Sequence, residues 1–182
     1  LDKDQNSIDH KTYTKEERSN LSGEQVLRNI LNANLFTFFR QRPFNVIPNH
    51  KIPPRDIFIS GFSTSPLSVD FEVVMASQLE DFQYGIDAIS KLTKGNIFLT
   101  TKKNSILSSI ENVKLNTISG PHPAGNVGIQ IHHIAHLKPG EVVWTINPQD
   151  VASLGRLFKS GRYDPKRTVS YTHLRAHETQ TH

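Results

Sequence analysis

The sequence predicts an α/β protein with a mostly parallel sheet of about four strands and helices on both faces of that sheet. Two observations predict this class. Short apolar runs of strand length alternate with longer segments whose apolar residues recur every three or four positions, and such alternation is typical of parallel strands joined by crossover helices. A hydrophobic content of 36% is enough for the core of one ordinary domain.

The first predicted element is an amphipathic helix. Ser22 is a favourable N-cap residue, and Glu24 lies in the first turn that follows it. Apolar residues then recur at helical spacing as far as Phe39, and Pro43 cannot continue a helix. We therefore expect one helix that includes Phe39 and ends before Pro43.

The strands of the predicted sheet are short, apolar and rich in β-branched or aromatic residues. Four segments fit this description: 56–62, 96–100, 115–118 and 141–146. Helices are expected at 71–92, at 105–110 and from Pro148 to about Gly161. The loops after the first, third and fourth strands should open on one edge of the sheet, which is where open α/β folds bind ligands.

The most informative segment is the Gly/Pro-rich corner 119–128, which follows the third predicted strand. Its glycines permit positive φ and close backbone approach, and a helix start offers free N–H groups to a phosphate, a carboxylate or a quinone oxygen. A purely structural turn is the equal alternative, because the glycine spacing matches neither a dinucleotide fingerprint nor a P-loop. The candidate ligand or interface residues are Gly120, His122, Gly125, Asn126, Gly128 and Asn147.

Two expectations depend on the conformation of this corner. Residues 127–134 fit both a helical and an alternating pattern, and a helix is favoured because the corner should lead into one. Gly125 and Gly128 are expected to need positive φ, so that valine at either position would damage folding or assembly.

Three charged residues could bind a ligand or take part in catalysis, but an interaction with a helix dipole is the favoured interpretation for each. Arg40 and Arg42 are read as cations at a helix C-terminus, with anion or partner binding as the alternative. Asp150 is expected to offset the dipole of the last helix rather than to act as a base. No nucleophile–base pair and no carboxylate dyad is visible, so no catalytic residue is predicted.

A metal site formed by histidines is an alternative that the spacing of these residues does not favour. His132 and His136 share a helix face, and His122 lies in the preceding loop. No recognised zinc or iron spacing accompanies them, so surface imidazoles are the favoured interpretation.

Composition excludes several classes. The formal net charge of +4 is spread over mixed charges, which argues against a nucleic-acid partner and leaves contact with anionic lipid as a minor alternative. The chain has no cysteine, so disulfides and Cys-ligated iron–sulfur clusters are excluded from this segment. No apolar run approaches the roughly 20 residues of a membrane-spanning helix.

The two ends are set apart from the domain expected at 21–168. Residues 1–20 are polar and are read as a linker or the end of a preceding domain. Residues 169–182 resemble the translated read-through of a sequencing adapter and are expected to be non-native. The chain is therefore expected to be an internal fragment of a longer protein.

Several motifs, in the same order, resemble the NqrA family of sodium-translocating NADH:quinone reductases. They are SGPHPAGNVG with the following IQIHHI at 119–134, VVWTINPQDV at 142–151, GRLF at 155–158, and the shorter stretches around 42–44, 57–61, 80–82 and 92–95. The resemblance spans about residues 21–168. Ser63 departs from it, because many members have an acidic residue there.

This resemblance implies a Rossmann-like domain in a peripheral subunit on the cytoplasmic side of the bacterial inner membrane. The complex transfers electrons from NADH to quinone, uses flavins and iron–sulfur centres, and exports Na⁺. NqrA is implied to bind no cofactor itself, to reach the membrane through partner subunits, and to be associated with ubiquinone or menaquinone binding at residues that are not assigned. The alternative is a free-standing α/β enzyme that binds a nucleotide or phosphometabolite at the same corner.

Overall fold

A computed structural model describes residues 20–169, which form an α/β structure around one five-stranded sheet. The strands are β1 (Arg40–Arg42), β2 (Ile57–Ser60), β3 (Ile97–Thr101), β4 (Lys114–Thr117) and β5 (Val143–Ile146), in the spatial order β1–β5–β2–β3–β4. Strands β2 to β5 are parallel, and β1 pairs antiparallel with β5. The predicted class and the mostly parallel sheet are confirmed, with one strand more than expected; the Rossmann-like assignment stays a prediction.

Helices lie on both faces, as predicted. They are α1 (Gly23–Asn32), α2 (Phe71–Met75), α3 (Leu79–Ile89), α4 (Val127–Ile134) and α5 (Pro148–Ser160), with short 3-10 helices at Leu35–Phe38, Ser90–Leu92 and Ile106–Ser109. Helix α1 begins with a reciprocal capping box between Ser22 and Gln25. None of the helices in residues 20–169 is both long and apolar enough to cross a membrane.

The expected continuous helix up to Pro43 is wrong. Asn34 adopts a left-handed conformation with φ of 57° after α1 ends, and a 3-10 helix precedes β1. Phe36 and Phe39 in this stretch pack on Trp144 of β5, with ring centroids 5.5 and 5.4 Å apart. Because the aromatic contacts draw the chain along the sheet edge, the next residues pair with β5 rather than completing another helical turn.

The helix predicted at 71–92 is divided. Asp70 caps α2 by accepting a hydrogen bond from the Glu72 amide, and α3 begins only after Gln78, whose φ of −123° is not helical. The helix expected at 105–110 is a 3-10 helix capped by Ser105. Helix α4 occupies the ambiguous segment 127–134, so the helical interpretation is confirmed.

Two apolar cores cover the two faces of the sheet. The larger contains α1, α2, α3 and α5 packed on inward residues of the strands. The smaller consists of Phe58, Phe98, Ile131 and Val143, with the two phenylalanine rings stacked at 4.8 Å. Helix α4 therefore covers the second face.

Helices α3 and α5 pack closely through two glycines. A side chain at Gly85 would meet the backbone of Val151, and one at Gly155 would meet the carbonyl of Asp81. This close approach fixes α5, which follows β5 directly, against α3.

The order of the strands changes direction at β2, which lies between β3 and β5. The chain runs from β2 to β3 and β4 on one side, and then returns past β2 to form β5 on the other. The helices α2 and α3 after β2 pack in the larger core, whereas α4 before β5 packs in the smaller one. The loops after β2 and β5 therefore both lead to helices of the larger core, whereas the loop after β4 leads to α4 on the other face. In open α/β sheets, ligands bind beyond the carboxyl ends of the strands, where loops to opposite faces diverge.

Candidate functional site

A cleft of about 930 Å³ opens at the carboxyl ends of β2 and β5. Its wall comes from six parts of the chain: the residues around β1, the end of β2 with the loop after it, the start of α2, the start of α4, the end of β5 with the start of α5, and Arg167 beyond α5. The lining residues that matter chemically are Arg40, Arg42, Ser60, Ser63, Asn126, Asn147, Asp150 and Arg167. The predicted edge of the sheet is therefore the edge that carries the cleft.

The corner 119–128 is attached to the loop after β2. Thr64 Oγ1 accepts a hydrogen bond from the Gly125 amide at 2.9 Å and lies 3.3 Å from His122 Nδ1. Gln130, which is 1% exposed, donates through Nε2 to Ser60 Oγ at 2.9 Å. These bonds join the corner to the end of β2 and set the position of α4.

The corner contains both a positive-φ glycine and a close backbone approach, but the positive φ is not at Gly125 or Gly128. Gly120 has a φ of 149°, whereas Gly125 and Gly128 do not have positive φ. A side chain at Gly125 would collide with the backbone of Ser63 and Thr64, so this glycine permits a close approach of two loops. Gly128 meets nothing within 4 Å. The positive-φ reason for both residues is wrong, and the steric reason holds for Gly125 only.

The N-terminus of α4 faces the cleft. Asn126 is the N-cap residue, but its side chain makes no capping hydrogen bond. The amides of Val127 and Gly128, both in the wall of the cleft, precede the first intrahelical hydrogen bonds and make no other bond within the described part of the chain. These two donors are therefore available to a ligand.

The other end of α4 is fixed by Arg55. Its guanidinium donates to the carbonyls of Ala135, at 2.8 Å, and His136, at 3.2 Å. The same group pairs with Asp56 at 2.7 Å and with Glu141. A cation at a helix C-terminus is favourable, and this one connects α4 to the start of β2.

Arg40 and Arg42 lie on β1, so the interpretation of these residues as helix C-terminal cations is wrong. Residues two apart on a strand share a face, and both arginines reach the cleft. Arg40 Nη1 donates to the carbonyls of Phe39, at 2.9 Å, and Thr37. Arg42 is half-buried, and its Nε has no acceptor. Desolvation by burial lowers the pKa of Arg42 below its ordinary value.

Asp150 and Arg167 form an ion pair of 2.8 Å at one side of the cleft. Burial raises the pKa of the Asp150 carboxyl, and the charges of Arg167 and Arg40 oppose that rise. Asp150 lies in the first turn of α5, where the helix-dipole interpretation placed it. Asn147 caps the same helix by accepting from the Gln149 amide at 3.0 Å.

The histidines of the metal hypothesis lie apart. His132 and His136 are exposed, with their Nδ1 atoms 3.0 Å apart, whereas His122 contacts Thr64. Residues 20–169 contain no group of three or more His, Asp or Glu side chains arranged to hold a metal ion.

The structure brings together four of the six candidate residues. Gly125, Asn126, Gly128 and Asn147 line the cleft; Gly120 and His122 do not. The arginines are the functional groups that sequence reasoning undervalued. The alternation Arg40-Gln41-Arg42 was a usable signal, because it places two cations on one face of a strand.

Comparisons with known proteins agree on one family. The family model described as the NqrA second alpha/beta domain matches residues 21–163. NqrA of the Na(+)-translocating NADH-quinone reductase of Neisseria meningitidis (strain Z2491) is 38% identical over 165 residues, which are 90% of this chain and 37% of that protein. The corresponding protein of Marinomonas sp. (strain MWYL1) is 35% identical over 159 residues, 87% of this chain and 36% of its own length.

The chain spans little more than a third of the length of these relatives. The family match extends from just before α1 to just beyond α5 and so includes the whole sheet and its helices. The chain therefore belongs to the family of the second α/β domain of NqrA.

Proposed function

We propose that the chain is part of the NqrA component of a Na⁺-translocating NADH:quinone reductase. In this role it is peripheral, on the cytoplasmic side of the bacterial inner membrane, and it supports electron transfer from NADH to quinone coupled to Na⁺ export. The observation that carries the proposal is the family match over residues 21–163, together with relatives that are named as this component of the reductase.

The proposed contribution is one of assembly rather than of chemistry. We assign no catalytic residue and no cofactor to this segment, and place the flavins and iron–sulfur centres in partner subunits. The polar groups of the cleft support this: Asp150 is paired with Arg167, and the Asn147 side chain caps α5. Quinone binding belongs to the proposal at the level of the full-length protein, without an assigned site.

An exposed apolar segment after β1 supports the assembly role. Phe44 is 76% exposed, and Val46, Ile47 and Ile52 are each about half exposed. Several large apolar side chains exposed within one short segment are a feature of surfaces that another protein covers. Membrane attachment would then occur through partner subunits.

The test is recovery of the complex from membranes of a strain that lacks the native protein and carries a tagged, full-length copy. The partner subunits and Na⁺-dependent NADH:quinone reductase activity should be recovered with the tag. Phe44→Gln should reduce this recovery, whereas Val73→Gln, a change at an equally exposed apolar residue on α2, should not.

The sequence alternative, a free-standing nucleotide- or phosphometabolite-binding enzyme, gives a different result. The tagged protein would then purify alone, bind NADH or FMN tightly, and leave membrane NADH:quinone reductase activity unchanged when deleted. That combination would contradict the proposed role. Flavin absorbance from the purified protein, free of its partners, would contradict the assignment of all flavins to those partners.

A further inference from the structure

The cleft at the ends of β2 and β5 has an excess of positive charge. Three arginines and one carboxylate line it. Arg167 is paired with Asp150 at 2.8 Å, whereas Arg40 and Arg42 form no ion pair among the described residues. An excess of cations in a concave site favours an anionic ligand over a neutral one.

Arg42 gives the strongest indication. Its Nε is buried and has no acceptor, and no hydrogen bond or ion pair of its side chain occurs in residues 20–169. A buried donor on a charged group is costly to leave unpaired. An oxyanion that accepts from Nε and a terminal nitrogen together would satisfy it in the bidentate geometry that guanidinium groups favour.

The guanidinium group of Arg40 is held in place before any anion binds. Its Nη1 is held by the carbonyls of Phe39 and Thr37, which leaves the other guanidinium nitrogens without acceptors in the described part of the chain. A side chain that is fixed before binding loses little conformational entropy when a ligand arrives.

The start of α4 supplies further donors to the lining of the cleft. The amides of Val127 and Gly128 are free, and the Asn126 side chain does not cap them. The space beside Gly128 is open, since a Cβ there would meet nothing within 4 Å. The helix dipole adds attraction for negative charge at this end.

From these four groups we propose that the cleft binds a phosphate group, with Arg42 and Arg40 of β1 and the first-turn amides of α4 as its donors. Donors from two separate elements suit a tetrahedral dianion, with its several oxygens, better than a planar carboxylate, which has only two. A neutral quinone can accept hydrogen bonds through its carbonyl oxygens, but it leaves the positive charge of Arg42 uncompensated. The volume of about 930 Å³ also has room for an organic group beyond the phosphate. The inference does not depend on the proposed role in the complex.

The test is isothermal titration of the full-length protein, in chloride-poor buffer, with inorganic phosphate, ribose 5-phosphate and acetate. Saturable 1:1 binding of phosphate is expected. Arg42→Gln and Arg40→Gln should each weaken binding by at least about tenfold, as the loss of hydrogen bonds to a charged group implies. The matched control is Arg28→Gln, which removes the same charge from an exposed position on α1 outside the cleft, and it should change affinity less than twofold.

Ribose 5-phosphate tests whether the ligand is a phosphate monoester or the free ion, and acetate tests whether the cleft selects phosphate over a carboxylate. Tighter binding of ribose 5-phosphate than of inorganic phosphate would support a phosphate monoester as ligand, and equal binding would support the free ion. Circular dichroism checks the fold of each variant. If Arg42→Gln does not fold, Arg42→Lys keeps the charge without the fork and should still weaken binding. The proposal is overturned by any of three results: phosphate binding that does not saturate, cleft variants with the same affinity for phosphate as the control variant, or acetate binding as tight as phosphate binding.

Discussion

Replacing Gly155 with alanine should loosen the packing of α3 on α5. The added methyl group would lie inside van der Waals distance of the Asp81 carbonyl, close also to the Gly85 amide. Both are backbone atoms in the body of a helix, so neither can move aside as a flexible side chain would. The two helices must therefore move apart, and side chains of the larger core between them then pack less closely.

The magnitude follows from two opposing effects. Overpacking of a close contact costs about 3 kcal/mol at the upper end of the usual range, and the better helix propensity of alanine returns about 1 kcal/mol. The net loss is then about 2 kcal/mol in the free energy of unfolding of this region. Gly128→Ala is the matched control, since it is also a helical glycine but has open space around it. It should be neutral or stabilise α4 by about 0.5 kcal/mol.

The assay is native-state hydrogen exchange of the full-length protein, read on peptides that cover α3 and α5. A loss of about 2 kcal/mol corresponds to a roughly thirtyfold decrease in protection of the most slowly exchanging amides. Gly128→Ala should leave these peptides unchanged. Equal protection of α3 and α5 in the two variants would refute the close-approach argument.

Three further predictions concern the edge of the sheet. Gly125→Ala should speed hydrogen exchange in the loop after β2, because its methyl would collide with Ser63 and Thr64; an unchanged exchange rate would contradict this. Asn147→Ala should cost about 1 kcal/mol in chemical denaturation through loss of the α5 cap, and Asn147→Asp should restore most of it. Burial raises the pKa of Asp150 above its ordinary 3.8, so its contribution to stability is complete below pH 3.8 and is lost as the pH rises through the raised value. The stability of the wild type relative to Asp150→Asn should accordingly fall as the pH rises through that range, and a rise would show that the ion pair with Arg167 outweighs burial.

Local signals in the sequence were sufficient for most elements of the fold. Ser22, Pro148 and Gly161 mark helix ends that the structure places at the same residues, because caps and breakers act through bonds to nearby backbone. Strand β1 was missed for the opposite reason. Its pairing partner, β5, lies about a hundred residues further along the chain, and without that partner the three-residue alternation Arg40-Gln41-Arg42 is too short to distinguish a strand from the frayed end of a helix.

The candidate site shows the same division. The corner 119–128 is visible as a motif, and its position at a sheet edge follows from the order of strands and helices. The charge of the site is not visible in that motif. It arises because an antiparallel strand brings Arg40 and Arg42 beside a helix start that lies more than eighty residues later in the chain.

The sequence by itself determined the α/β class, the helix caps and the family, since each depends on residues read in order along one segment. Only the tertiary structure decided which glycines are indispensable and where the unpaired charge lies. Gly125 and Gly155 matter because backbone from a distant segment passes within contact of them. Arg42 matters because folding removes its Nε from water without supplying an acceptor. The close approaches at the glycines and the burial of this nitrogen both depend on segments distant in the sequence, so no local sequence pattern predicts them.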